Sequence, residues 1–261
     1  MLALALALGL VIGLALGMLG GGGSILVLPV LAYVLGQSAQ EAATASLVIV
    51  TLAAVAGSAG QARNENVCWR HAALFIAAAL PCIVAGTVVG DAVSGRLLLG
   101  SFGAVMLIAA YATARKHAGG GATPGSSTRP CPAVRPRWDI GFGAVVGFLT
   151  GFMGIGGGFV VVPVLAIALG FPIRSAIGTS LAIITATGVL GAVVHFAAGR
   201  TIDIEITAAV TVAMAIGALV GARTGGSLSE VALARAFATL VAAVGAYVVV
   251  ASAFLGGPGP A

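Results

Sequence analysis

The sequence predicts an all-α fold, a polytopic helical membrane protein made of two homologous repeats. Three observations carry that prediction. Hydrophobic residues fill 60% of the 261 positions and charged residues only 7%, against about 25% charged in a soluble domain, too few to hydrate a surface. Several apolar runs approach the roughly 20 residues that cross a bilayer core, and they are continuous rather than alternating, which excludes a lipid-facing barrel. The first run is broken by Gly17-Met18-Leu19-Gly20-Gly21-Gly22-Gly23-Ser24, and nearly the same phrase returns as Gly151-Phe152-Met153-Gly154-Ile155-Gly156-Gly157-Gly158.

The duplication extends beyond the glycines. Residues 17–51 and 151–185 are identical at 16 of 35 positions without a gap, including Pro29/Pro163, Gly36/Gly170 and Ser46/Ser180. With one residue of slippage, Gly86 meets Gly221, Gly90 meets Gly225 and Phe102 meets Phe237. Self-similarity at a fixed offset marks a unit used twice. The predicted domains are a first membrane repeat over 1–114, a flexible cytoplasmic linker over 115–138, a second membrane repeat over 139–255 and a tail over 256–261. The linker is rich in Gly, Pro, Ser and Arg, the composition of a flexible connection.

The first repeat contains hydrophobic segments over 2–35, 42–62, 71–90 and 96–114, the second over 139–170, 176–198, 204–223 and 231–253. The opening segment of each set is too long for one span. As a straight helix, residues 2–35 would extend about 51 Å against a hydrocarbon core of about 30 Å, more than tilt absorbs. A break costs least at the glycine cluster. Helices over 2–18 and 24–35 are therefore expected, as a re-entrant hairpin or as two short spans. Met1 to Gly17 lacks the basic flank and cleavage site of a signal peptide and is read as retained.

That alternative decides the symmetry. A single crossing makes four spans per half and parallel halves, whereas a hairpin leaves an odd number and inverts them. With the linker inside, the parallel arrangement puts Arg63, Arg70, Arg115, Lys116, Arg129, Arg135, Arg137 and Arg200 in the cytoplasm and Arg96, Arg174, Arg223 and Arg235 outside. The inverted one leaves only Arg96 and Arg200 outside, and the positive-inside rule favours it.

The charge balance points to lipid rather than nucleic acid. Net charge is +5, and five of the twelve basic residues lie in the linker, as suits a cytoplasmic loop facing anionic lipid. Cys68, Cys82 and Cys131 are odd in number and lack metal-ligand spacing, so neither a disulfide framework nor a metal site is expected, and no cofactor. Small-residue faces on nearly every helix leave a homo-oligomer open.

Candidate chemistry gathers at the breaks. Backbone amides in hydrocarbon must be satisfied unless they line a cavity, and a helix beginning at a glycine loop offers N–H groups and a dipole to an anion. Free amides are expected at Ser24–Leu28 and Gly158–Val162. A matched break in two halves marks a transporter's substrate site, so Gly20, Gly22, Gly23, Ser24, Gly154, Gly156, Gly157 and Gly158 are the candidate binding residues. The bland alternative is close helix packing. The next segments open with Thr44-Ala45-Ser46 and Gly178-Thr179-Ser180, whose hydroxyls either face an anion or bond back to their own helix. Ser46, Thr179 and Ser180 join the candidates.

His195, near the end of 176–198, is a candidate coupling or gating group, weighed against a histidine merely bonded to its loop. Arg200/Asp203 and Arg63/Glu65 read as solvated loop ends, and no acidic residue is placed clearly at mid-membrane. Cys82 beside Pro81 reads as a small residue at a kink. An intramembrane serine hydrolase is disfavoured because Ala56-Gly57-Ser58-Ala59-Gly60 lacks the first glycine of the nucleophile elbow and no acid partner is evident. An anion channel is disfavoured by the lack of rings of like charge.

With these residues assembled, the chain resembles a known family. The G-x-x-G-x-G-G-G break, the following P-x-L stretch, the A-x-x-T-S-L helix opening and Gly199-Arg200-Thr201-Ile202-Asp203 are similar to the sulfite exporter TauE/SafE family. The likeness spans both halves except the linker and is closer in the second. In the first, Gly21 and Ser24 vary the glycine pattern, and Cys68 stands where Asp is usual. The resemblance implies a non-enzymatic secondary transporter in the inner membrane of a bacterium, moving small sulfur-containing anions such as sulfite or organosulfonates.

Overall fold

The computed structural model describes residues 2–62, 67–118, 131–153, 158–224 and 230–254, and among them every regular element is helical. Helix α1 (Leu2–Leu19) runs into a 3-10 turn over Gly20–Leu26, a single turn α2 (Val27–Pro29) and a π turn over Val30–Val34. Then come α3 (Ala39–Ala62), α4 (Trp69–Asp91) and α5 (Gly95–Ala118). The second set is α6 (Pro136–Met153), α7 (Gly158–Pro163) with a π turn over Val164–Ala168, α8 (Ile173–Ala197), α9 (Ile204–Thr224) and α10 (Glu230–Phe254). Of the 115–138 linker, residues 119–130 lie outside the described residues, as do Gly154, Ile155, Gly156 and Gly157.

The first glycine break is a reversal. A Cβ on Gly23 would overlap the backbone of Leu16, an approach impossible in a continuous helix, where seven residues advance about 10 Å. The chain therefore folds back on α1 at this break. Proline shapes the return limbs of both breaks. Pro29 and Pro163 each stand immediately before a π turn, because a ring without an N–H and crowding the preceding turn favours a wider one. Each return limb ends at a left-handed glycine, Gly36 (φ 73°) and Gly170 (φ 71°). Beyond them the N–H of Gln37 donates to Leu31 O and that of Phe171 to Leu165 O, both at 3.0 Å.

Packing pairs α1 with α9, α4 with α6, α5 with α10 and α3 with both α8 and α9. Glycine makes the two closest crossings possible. A Cβ on Gly13 or Gly17 would overlap backbone of Met214 or Ala218, and one on Gly147 or Gly151 would overlap Ala79 or Ile83. These are small-xxx-small seams, in which backbones approach because nothing stands between them.

Two buried clusters result. The larger joins α1, the first return limb, α3, α5, α9 and α10, and the smaller joins α4, α6, α7 and the start of α8. Around them the outer face is apolar: Val88, Leu97, Ile108 and Ile204 are 65%, 66%, 68% and 77% exposed. Such a surface suits hydrocarbon rather than water. Gln40–Ser58, Trp69–Asp91, Ile173–Ala197 and Ile204–Thr224 are long and apolar enough to cross a bilayer. The protein is a multi-pass helical membrane protein.

Candidate functional site

The first break meets the helix that follows the second. The Gly20–Leu26 turn, which carries Gly20, Gly22, Gly23 and Ser24, packs against α7, whose first residue is Gly158, and both pack against α8, which carries Thr179, Ser180 and His195. Ser46 lies on α3, beside α8. Ser24, Ser46, Thr179, Ser180 and His195 are all fully buried.

Their hydrogen bonds separate them. Ser46 Oγ donates to Ala43 O at 2.9 Å and Ser180 Oγ to Ile177 O at 2.8 Å. Both matched serines thus commit their proton to their own helix, the bland alternative. Thr179 differs: its Oγ1 accepts from the Cys68 N–H at 3.0 Å, so its own proton is uncommitted among the described residues. The expected free amides at Ser24–Leu28 are corrected. Gly20–Leu26 winds as a 3-10 turn and the Val27 N–H donates to Ser24 O, because i→i+3 bonds consume those donors. The residues that precede the amides expected at Gly158–Val162 lie outside the described residues.

His195 serves the second break directly. Its Nε2 lies 3.3 Å from Gly151 O, in the last described turn of α6, and Thr87 Oγ1, which donates to Ile83 O at 3.1 Å, shares its proton with the same carbonyl at 3.4 Å. A carbonyl only accepts, so Nε2 carries the hydrogen. Arg200 Nη1, a donor only, lies 3.3 Å from Nδ1, and Thr44 Oγ1 lies 3.1 Å from it. The ring is thus the neutral Nε2–H tautomer, bonded to a carbonyl in the last described turn of α6. Arg200 is not a solvated loop end, since its Nε donates to Asp91 Oδ1 at 3.1 Å, tying the α8–α9 loop to the end of α4. Asp203 caps α9, accepting the Ile206 N–H at 3.1 Å.

A second polar cluster, missed in the sequence, lies at the other end of α4. Cys68 and Cys131 form a disulfide with Cα atoms 5.7 Å apart, which overturns the expectation of no disulfide. Sixty-three residues separate them, so spacing alone carries no signal. Three residues on, buried His71 places Nδ1 2.9 Å from Asp139 Oδ1 and Nε2 3.2 Å from Pro132 O. Asp139 is fully buried, although it opens a segment where a charge reads as interfacial. The available hint was that the segments starting near His71 and Asp139 begin on one side in the inverted arrangement.

Broken helices meeting inside an apolar-faced bundle define a transporter architecture. The chain belongs to the sulfite exporter TauE/SafE family, whose family model matches residues 5–248. It is 33% identical over 238 residues to a "Probable membrane transporter protein" of Xylella fastidiosa strain Temecula1, covering 89% of each chain. A protein of the same description from Methanocaldococcus jannaschii is 25% identical over 192 residues, covering 69% of this chain and 67% of the relative. No solved structure matches. The protein is a membrane transporter of the TauE/SafE type.

Proposed function

We propose that the protein is a secondary transporter moving a small anion, sulfite or an organosulfonate, across the bacterial cytoplasmic membrane by alternating access between inverted repeats. The contact between the Gly20–Leu26 turn and α7 carries this reading, since glycine-broken limbs from matched segments arrive at one place. The family supplies the sulfur chemistry through its description as sulfite exporters. The anion would rest on the amides opening α7, on the glycines at 154–157 and on the Thr179 hydroxyl, with Gly20–Ser24 opposite. Such donors stabilise negative charge without a full cation in hydrocarbon.

The repeat reading draws support from packing. Exchanging the two sets turns α1 against α9 into α6 against α4, and the same exchange maps α5 with α10 onto itself. Gly9, Gly13 and Gly17 line one seam, and Gly143, Gly147 and Gly151 the other at one offset. A reversal like that at Gly23, taken for both halves, would leave three full crossings per half and invert them. The ten-to-two distribution of basic residues then favours a cytoplasmic linker face.

Thermal unfolding of detergent-purified protein against sulfite, sulfate, thiosulfate, isethionate and acetate tests the site. A ligand bound only by the folded state raises the midpoint by mass action. Sulfite or isethionate should raise it and acetate should not; no shift with any of these anions rejects the anion site.

A further inference from the structure

We propose that His71 and Asp139 form a buried proton-binding site through which transport is coupled to proton movement; the proposal rests on the transporter reading above. Counting hydrogen bonds shows that the pair holds a proton. His71 Nε2 faces the Pro132 carbonyl, which only accepts, so that nitrogen is protonated. Nδ1 faces Asp139 Oδ1 at 2.9 Å, and one proton must lie between them, on the ring or on the carboxyl. Either way the pair is neutral overall. Without that proton a bare carboxylate would face an imidazole lone pair inside the protein, with both groups almost wholly buried.

The second carboxyl oxygen, Oδ2, is buried without a hydrogen-bond partner among the described residues. A clamp serving stability alone would satisfy both oxygens, since an unpaired buried acceptor is costly. On the elements packed around the pair, the other charged residues near it in the chain are Arg70 on α4, Arg135 just before α6, Arg137 in its first turn and Arg174 opening α8.

The pair is covered by the moving part the transporter reading requires. Phe171 follows Gly170 at the end of the second return limb, and its ring stands edge-on to His71 with centroids 4.8 Å apart. Helices α4 and α6 are locked by their glycine seam, so they carry the proton as one body. Displacement of the α7 limb withdraws Phe171 and opens the pair to water on the linker face, where the proton leaves to, or arrives from, that water. Proton occupancy is thereby linked to the limb that borders the anion.

The test uses purified protein in vesicles with a trapped pH dye and radiolabelled isethionate, an anion that carries no proton of its own near neutrality. Asp139→Asn keeps a donor toward Nδ1 and mimics the permanently protonated pair, and His71→Gln is the second variant, each checked for a monodisperse fold. Wild-type protein should exchange isethionate and move protons during net flux. The variants should keep exchange and drop proton movement to that of empty vesicles. Unchanged proton movement overturns the proposal, and so does loss of exchange together with proton movement in a folded variant, which assigns the pair to structure alone. Wild-type vesicles that exchange no isethionate sink the transport reading itself, and the coupling proposal with it.

Discussion

His195 donates its Nε2–H to the carbonyl of Gly151, 44 residues earlier and near the end of the half-helix α6. The bond joins the end of α8 to the last described turn of α6. His195→Phe keeps the ring volume and removes the donor. Gly151 O would keep only the longer contact with Thr87 Oγ1, and one lost hydrogen bond is worth about 0.5–1.5 kcal/mol, so the thermal midpoint should fall in detergent. An unchanged midpoint would mean that the bond is not made.

The seam glycines offer a controlled comparison within one helix. Gly147→Ala puts a methyl group into the Ala79 backbone, whereas a Cβ on Gly141 meets nothing within 4 Å. Overpacking of this kind costs about 1–3 kcal/mol, so Gly147→Ala should lower the unfolding midpoint and Gly141→Ala should not. Gly13→Ala, against Met214, should behave like Gly147→Ala. Equal midpoints for the Gly141 and Gly147 variants would contradict the packing described.

Hydroxyl substitutions should rank by what each proton is doing. Thr179→Val removes a hydroxyl whose proton is uncommitted, while Ser46→Ala and Ser180→Ala remove hydroxyls bonded to their own helices. Titration by thermal shift should show Thr179→Val weakening sulfite binding more than either serine variant. The reverse order would move the site away from the α7–α8 junction.

The Cys68–Cys131 bridge bears on orientation. Disulfides persist on the oxidising side of a membrane, whereas the basic residues favour a cytoplasmic linker face, so the two indications oppose each other. In a Cys82→Ser background, alkylation of intact cells followed by non-reducing electrophoresis separates them. A cytoplasmic face predicts free thiols in growing cells, with the bridge forming once lysates are exposed to oxidant. A bridge already closed in cells would reverse the orientation.

Much of this was legible because it rests on composition and local chemistry. Apolar runs named the class, and the length of residues 2–35 demanded a break at the weakest helix formers. The seam role of Gly17 and Gly151 was less visible, since a glycine that permits a crossing and one that frees an amide look alike in sequence. His71, Asp139 and the disulfide were invisible for another reason. Each depends on which segment ends share a face, and pairing across 63 or 68 residues leaves no local trace. The free amides expected at Ser24–Leu28 were lost to a 3-10 turn, a choice that propensity does not resolve.

The central claim is tested most directly by uptake of radiolabelled sulfite into vesicles holding purified protein, compared with Gly22→Leu and Gly156→Leu variants. The account predicts saturable uptake, competed by isethionate and not by acetate, that both bulky substitutions abolish in folded protein. Uptake no faster than in empty vesicles, or wild-type rates in both variants, would contradict it.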